Sequence, residues 1–442
     1  MFMGNDGTGR NALEGNVLWA LTAAMVAMGG MTLPAAEIWD PGEPVVTYYG
    51  GPGCFWKKER INDFWAKQFK EGGFNTVWAK TPEELDVAAK YGLRVIYKVD
   101  ISDPLRTAPL AERINRVKDH PALYIYELTD EPSVGKFVSL GREKEFIRTV
   151  DPRHAVWVNL LPTYANHNQL GVGGKDNVLG FGMERISAYW EHVRLFCELF
   201  QPELLTYDHY HFKNNGDGGH YFLNLGIIQQ NAAARRIPFW NGLQSCTWRV
   251  GERASPTSPR IPNADEMRFL AHTTAAYGAH GLYWYVYSGN KDHFGAIVEE
   301  DGTTGEKYES LKSIHQEFLA FASVLSRLQF KGAYSHGMHP TGTTPYSEQA
   351  ILAISPDVPS TEVKDLQRLE DTVIVTRFVS GNGQTYLMVV NCDYRKERTI
   401  HAKAPCAAEL FDPISRKWSP VGKAFDLSLV RGGGAIVRLD VQ

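Results

Sequence analysis

The chain has 442 residues, 43% of them apolar and 22% charged, with a formal net charge of −4 at neutral pH. Such values fit a soluble globular protein with a domain of roughly 250 to 300 residues and a second of about 100. They give no electrostatic argument for nucleic acid or an anionic membrane as partner.

The five cysteines, Cys54, Cys197, Cys246, Cys392 and Cys406, are scattered. None forms a CxxC pair or a Cys/His zinc spacing, so neither a metal nor a cofactor is implied. At the N-terminus the apolar run Val17 to Leu33 leads into Pro34-Ala-Ala36, small residues suited to signal-peptidase cleavage. Residues 1–36 therefore read as an export signal, with a periplasmic or extracellular mature chain.

From Pro44 onward short apolar runs alternate with amphipathic helices. Strands are expected at Val45 to Gly50, Phe74 to Ala79, Leu93 to Asp100, Leu123 to Leu128, His154 to Leu161, Leu204 to Tyr210, Phe239 to Cys246 and Gly281 to Tyr287. Helices fall between them, among them Arg60 to Glu71, Pro82 to Tyr91 behind a Thr81/Glu84 capping box, and Arg185 to Phe200. Eight such units predict a (β/α)₈ barrel over residues 37–330. After Leu328 the pattern becomes short strands between turns: Thr372 to Phe378, Gln384 to Asn391, Arg398 to His401, Ala408 to Phe411 and Gly434 to Leu439. An all-β sandwich over residues 331–442 is the simplest reading.

The fourth barrel strand ends in the adjacent acids Asp130 and Glu131 before Pro132, which interrupts the run. Two carboxylates placed together raise each other's pKa, which makes the pair a candidate acid/base site. In (β/α)₈ barrels the reacting groups come from the C-terminal strand ends. That rule collects Lys98 and Asp100 from strand three, Asn159 from five, Asp208, His209, Tyr210 and His211 from six, Gln244 and Trp248 from seven, and Trp284, Tyr285 and Tyr287 from eight. An acidic, amide-bearing and aromatic set, without a Gly-rich phosphate loop or a serine elbow, suits sugar hydroxyls best. Glu127 shares the strand with the pair and reads as a buried support. Asp208 reads equally well as a second catalytic carboxylate or as a hydroxyl-binding group.

The barrel, the acid at the end of strand four and Leu410-Phe-Asp-Pro413 in the β-domain resemble barrel glycoside hydrolases of the family 42 and family 5 group. Two departures stand out: Asp130 occupies the place of the Asn that precedes the acid/base Glu, and Gln244 stands where a strand-seven nucleophile belongs. The Asp-Glu pair resembles instead the family 20 and family 123 β-N-acetylhexosaminidases. That resemblance implies a carbohydrate substrate whose own acetamido oxygen is the nucleophile, with Glu131 as acid/base and Asp130 orienting the acetamido N–H. It also implies an exo-acting enzyme with N-acetylgalactosamine as the favoured sugar. A two-carboxylate β-galactosidase-like enzyme using Glu131 and Asp208, and a non-catalytic carbohydrate-binding barrel, remain alternatives.

Overall fold

Eight parallel strands make the barrel: β1 (Val45–Tyr49), β2 (Thr76–Ala79), β3 (Arg94–Lys98), β4 (Leu123–Asp130), β5 (Ala155–Leu160), β6 (Leu205–Asp208), β7 (Phe239–Gln244) and β8 (Gly281–Tyr285). They are hydrogen-bonded in the order β1-β8-β7-β6-β5-β4-β3-β2. Helices cover the outer face, so the strands are buried on both sides and read as near-continuous apolar runs. In this computed structural model the described residues are 39–54, 59–99, 109–172, 184–248, 251, 254–346, 353–356, 369 and 371–439. Met1–Asp40 is one unit and Pro41–Gln442 another. The predicted export signal at 1–36, and Asp100, lie outside the described residues. Among the described residues no helix is long and apolar enough to cross a membrane.

The barrel is nearly closed. Between β1 and β2 one backbone bond, Asn75 N to Val46 O at 3.1 Å, is supplemented by side chains: Asn75 Oδ1 accepts from Val46 N at 3.0 Å, and the Trp78 indole donates to Tyr48 O. Aromatic rings fill the interior in layers. Tyr124 stacks on Trp240, Trp157 lies 5.8 Å from Trp240 and 4.8 Å from Trp78, and Tyr49 and Tyr283 pack against this layer. Much of the aromatic excess is therefore barrel core, and its upper rings carry hydroxyls into the site.

After the helix Glu306–Leu325 the chain enters the all-β domain at Gln329–His336. One hydrogen-bonded sheet folds over on itself as a sandwich, so that Val373, Val389 and Val437 share a core with Ile400, Leu427 and Leu429. Two expected strands, Arg398 to His401 and Ala408 to Phe411, are one long strand, Arg398–Asp412, interrupted by register shifts between Lys403 and Glu409. Its partner Lys417–Leu429 escapes sequence reading because most of its side chains are solvated and it has no apolar run.

The β-domain packs on the barrel through Tyr277 against Phe330 and Phe269 against Tyr394. Gly432 (φ +65°) makes a close approach: a Cβ there would lie 2.4 Å from the Asp265 carbonyl oxygen.

Candidate active site

Two consecutive residues of a regular strand point to opposite faces, so a strand cannot aim both Asp130 and Glu131 into one cleft. The chain solves this with two local distortions. In the β4–β5 register Glu127 faces Trp157 while Thr129 faces Val158, so Leu128 is an extra residue. This bulge resets the alternation. The second distortion is at Glu131 itself, which has φ 44°. A non-glycine residue in this left-handed region is strained, and such strain concentrates at functional sites. A hydrogen bond from Glu131 N to Asn159 O, 2.9 Å, holds the turn. Both acids then line a cleft of about 870 Å³ at the C-terminal mouth of the barrel.

Asn159 organises the floor. Its Nδ2 donates to Asp130 Oδ1 and to Asp208 Oδ1, both at 3.0 Å, and its Oδ1 accepts from the Tyr283 hydroxyl at 2.7 Å. Asp130 Oδ2 accepts from the Tyr49 hydroxyl at 3.1 Å. Asp208 is sealed beneath, 2% exposed, whereas Asp130 and Glu131 open to water on the cleft side.

Burial raises all three carboxyls above their usual range. Donors from Asn159 and Tyr49 and the charge of Lys98 oppose the shift at Asp130. At Glu131 burial is reinforced by the negative charges of Asp208 and Asp130. The interaction between Glu131 and Asp208 raises Glu131 and lowers Asp208. The proton retained by the group therefore sits on Glu131, and the open side of the cleft makes its shift smaller than full burial would give.

His209 joins the wall with a fixed tautomer. Asn224 Nδ2 donates to the Tyr189 hydroxyl and Asn224 Oδ1 accepts from Thr163 N, so that oxygen also accepts from His209 Nδ1 at 3.0 Å. Burial keeps the ring neutral, down to about 3, which leaves Nε2 as an acceptor for a hydroxyl. Opposite, Tyr210, Trp248 and Tyr285 form an edge-to-face cluster with centroids 4.8 to 5.3 Å apart, an apolar surface fit for the face of a sugar ring.

The cleft thus brings together Asp130, Glu131, Asn159, Asp208, His209, Tyr210, Trp248 and Tyr285. Five expected residues are elsewhere, among them His211, which is buried and off the lining. Lys98 pairs with buried Glu127 at 3.2 Å and is off the lining. Gln244 is wholly buried, donating to Phe212 O and Arg260 O and accepting from Phe212 N, which ties the ribbon after β6 to β7. Trp284 points outward to His315, and Tyr287 packs under the barrel rim with its hydroxyl on Gln68.

Tyr49 and Tyr283 were missed, although strand parity relates Tyr283 to Tyr285 and excludes Trp284. Tyr164, Arg185, Lys213 and His220 also line the cleft. They come from a loop, the two-residue strand Phe212–Lys213 and helix starts, where no periodicity marks them. Among the described residues no group of three or more His, Cys, Asp or Glu is arranged to hold a metal ion.

Gly242 makes room for this floor: a Cβ would meet the Tyr283 ring and hydroxyl at 2.3 Å. Gly242→Ala should displace Tyr283 from Asn159, lowering turnover and destabilising the fold by about 1–3 kcal/mol. Activity assays and chemical denaturation check this; a variant equal to the parent in both would show that Tyr283 has no such role.

No protein-family model and no curated protein matches the chain. Among solved structures, a β-galactosidase from the psychrophilic Marinomonas ef1 is 11% identical with a TM-score of 0.42, covering 66% of this chain and 63% of that one. A β-galactosidase from the Antarctic haloarchaeon Halorubrum lacusprofundi is 11% identical with a TM-score of 0.40, covering 62% and 58%. The GH51 arabinofuranosidase from Xanthomonas axonopodis pv. citri is 10% identical with a TM-score of 0.41, covering 92% and 95%. The chain spans about three fifths of the two galactosidases. At these identities and scores the likenesses carry no argument about substrate or residue roles, which rest on the cleft itself.

Proposed function

We propose that the protein is a glycoside hydrolase acting on β-linked N-acetylhexosaminides, with Glu131 as general acid and the substrate's acetamido oxygen as nucleophile. The observation that supports it best is the placement of Glu131, turned into the cleft by its left-handed backbone beside Asp130, where burial and the charges of Asp208 and Asp130 raise its carboxyl. A general acid needs a proton retained near neutral pH. Glu131 would pass it to the glycosidic oxygen as the bond from C1 breaks, while the acetamido oxygen bonds to C1 and closes an oxazolinium ring. Asp130 would accept the acetamido N–H and offset its developing positive charge. Water would then lose a proton to Glu131 and open the ring at C1 with overall retention.

A two-carboxylate mechanism needs its carboxyls about 5 to 5.5 Å apart for retention, or about 6.5 to 9.5 Å for inversion. Glu131 and Asp208 instead act on each other's ionisation, Asp208 raising Glu131, which favours their holding a proton between them over serving as acid and nucleophile on either side of a sugar. N-acetylgalactosamine as the favoured sugar rests on the likeness of the Asp130-Glu131 pair to family 123. Export is proposed on the apolar run Val17 to Leu33.

The test is a substrate pair. Aryl β-N-acetylgalactosaminide or β-N-acetylglucosaminide should be cleaved while the matching galactoside or glucoside is not, because the latter lacks the attacking group. A thiazoline mimic of the intermediate should bind more tightly than the product sugar. Plain galactosides cleaved equally fast, without thiazoline inhibition, would transfer the nucleophile's role to Asp208.

A further inference from the structure

The cleft contains an acid that the mechanism above does not use. After β6 the chain runs through His209 into a short hairpin, Phe212–Lys213 paired with Gly216–Asp217, which turns at Asn214 and Asn215. Gly218 N closes it by donating to His211 O at 2.7 Å. The return strand thereby brings Asp217 and Gly218 back beside His209. A Cβ on Gly218 would lie 3.5 Å from His209 Nε2, so the glycine leaves that nitrogen uncovered. Asp217, Gly218 and His209 all line the cleft.

The Asp217 side chain is only 8% exposed and is held from the other domain. Its Oδ2 accepts from the Tyr394 hydroxyl at 2.8 Å. Tyr394 follows the strand Thr385–Asn391 of the β-domain and is buried against the rings of Phe212 and Phe269, 5.4 and 5.9 Å away. His211 Nε2 lies 3.9 Å from Oδ2, but burial keeps that ring neutral, down to about 3. The nearby Arg260 guanidinium is taken by both oxygens of Glu266, at 2.8 and 2.6 Å. Burial raises the Asp217 carboxyl, and the Tyr394 hydroxyl opposes the rise. Oδ1 has no hydrogen-bond partner among the described residues and is not sealed off from the cleft.

A carboxylate only accepts, and so does Nε2 of a histidine whose proton is on Nδ1. Two largely buried acceptors on one wall, each short of a donor, are costly unless a ligand supplies O–H groups. We propose that Asp217 is a specificity-determining residue that accepts a hydroxyl of the sugar being cleaved, beside the one taken by His209, and that Tyr394 is the positioning residue that aims it. The β-domain then completes the sugar site. The inference rests on the glycan reading above and adds that free hydroxyls are read at this wall. The sugar is the one whose bond breaks, because His209 directly follows Asp208, which shares the Asn159 amide with Asp130 at 3.0 Å each.

The test pairs changes in ligand and protein on the full chain. Binding of N-acetylgalactosamine, N-acetylglucosamine, galactose and glucose, and of their 3-, 4- and 6-deoxyfluoro analogues, is measured by titration calorimetry, with kcat/KM on the aryl glycosides alongside. Fluorine replaces the hydroxyl without an O–H to donate. One fluorine position should cost the parent about tenfold or more in affinity, the scale of a hydrogen bond to a charged acceptor. In Asp217→Ala that cost should vanish at this position and persist at the others, the non-additivity that marks direct contact. Tyr394→Phe should shrink the same cost and leave the others, a selectivity that a general loss of structure does not give. The position names the hydroxyl.

Fluorine costs that are the same in Asp217→Ala as in the parent overturn the proposal. A cost erased in Asp217→Ala but untouched in Tyr394→Phe removes the positioning role. If Asp217→Ala does not fold, Asp217→Asn, which keeps the shape and removes the charge, should lower the same cost, and an unchanged cost is decisive against Asp217. A fluorine effect that depends on Asp217, without hydrolysis of any acetamido sugar, would keep the hydroxyl site and overturn only the hydrolase reading. Hydrolysis of acetamido sugars with fluorine costs indifferent to Asp217 would do the reverse, and a chain that neither binds nor cleaves these sugars would lose both.

Discussion

Glu131→Gln should lower kcat by about 10² to 10⁴ on a substrate with a poor leaving group, with a far smaller change in KM, because a general acid acts chiefly in the transition state. On an aryl glycoside whose leaving group needs little protonation, the loss should be smaller. The same residue sets the alkaline limb of the parent's pH profile. Its carboxyl is raised by burial and then by Asp208 and Asp130, so the acid form persists into the neutral range and activity falls as pH climbs through that raised value.

Stability gives a second readout with a definite sign. A carboxyl whose folded pKa exceeds its unfolded value, about 4.3 for Glu, binds more protons in the folded state over the interval between them. Stability therefore declines as pH rises across that interval. Glu131→Gln removes the charge and should raise the unfolding temperature at pH 8, with the gain fading near pH 4. Unchanged turnover on the poor leaving group would remove Glu131 from the acid's role, and an equal gain at both pH values would refute its raised pKa.

How much of this was visible in the amino-acid order depends on what kind of signal each part leaves. The eight strands are buried on both faces, so each appears as an apolar run of the right length, and the predicted and observed segments overlap at every one. Lys417–Leu429 has no such run because its faces are solvated.

At the site, Asp130-Glu131 stood out as two acids before a proline, but the means by which both face one cleft did not. A bulge at Leu128 and a left-handed Glu131 are backbone events fixed by pairing with β5, and no residue at those positions announces them. Gln244 illustrates the converse. A polar residue at a barrel strand end suggests substrate contact, yet its three hydrogen bonds go to the backbone of Phe212 and Arg260, segments that only the fold brings near. Tyr283 was within reach of simple alternation and Tyr49 of the strand-end rule. Lys213 and His220 sit on a two-residue strand and a helix start, where position follows from tertiary packing alone.

Asp130→Asn should lower kcat on acetamido sugars by about 10² to 10³, the scale seen when one preorganised electrostatic contact is lost. The substitution keeps shape and most hydrogen bonding. The new amide oxygen can accept from Asn159 Nδ2, and its NH₂ can donate to the Tyr49 hydroxyl, which rotates from donor to acceptor. What disappears is the negative charge beside the position where the acetamido nitrogen becomes positive. Removing that charge should also let Glu131 ionise more easily, since Asp130 is one of the charges holding it high. The alkaline limb of the pH profile should accordingly move to lower pH, a shift that loss of folding or of substrate contact alone does not produce. Asp208→Asn provides the contrast. If Asp130→Asn kept near-parental turnover while Asp208→Asn abolished it, the nucleophile would be Asp208, and Glu131 with Asp208 would form the catalytic pair.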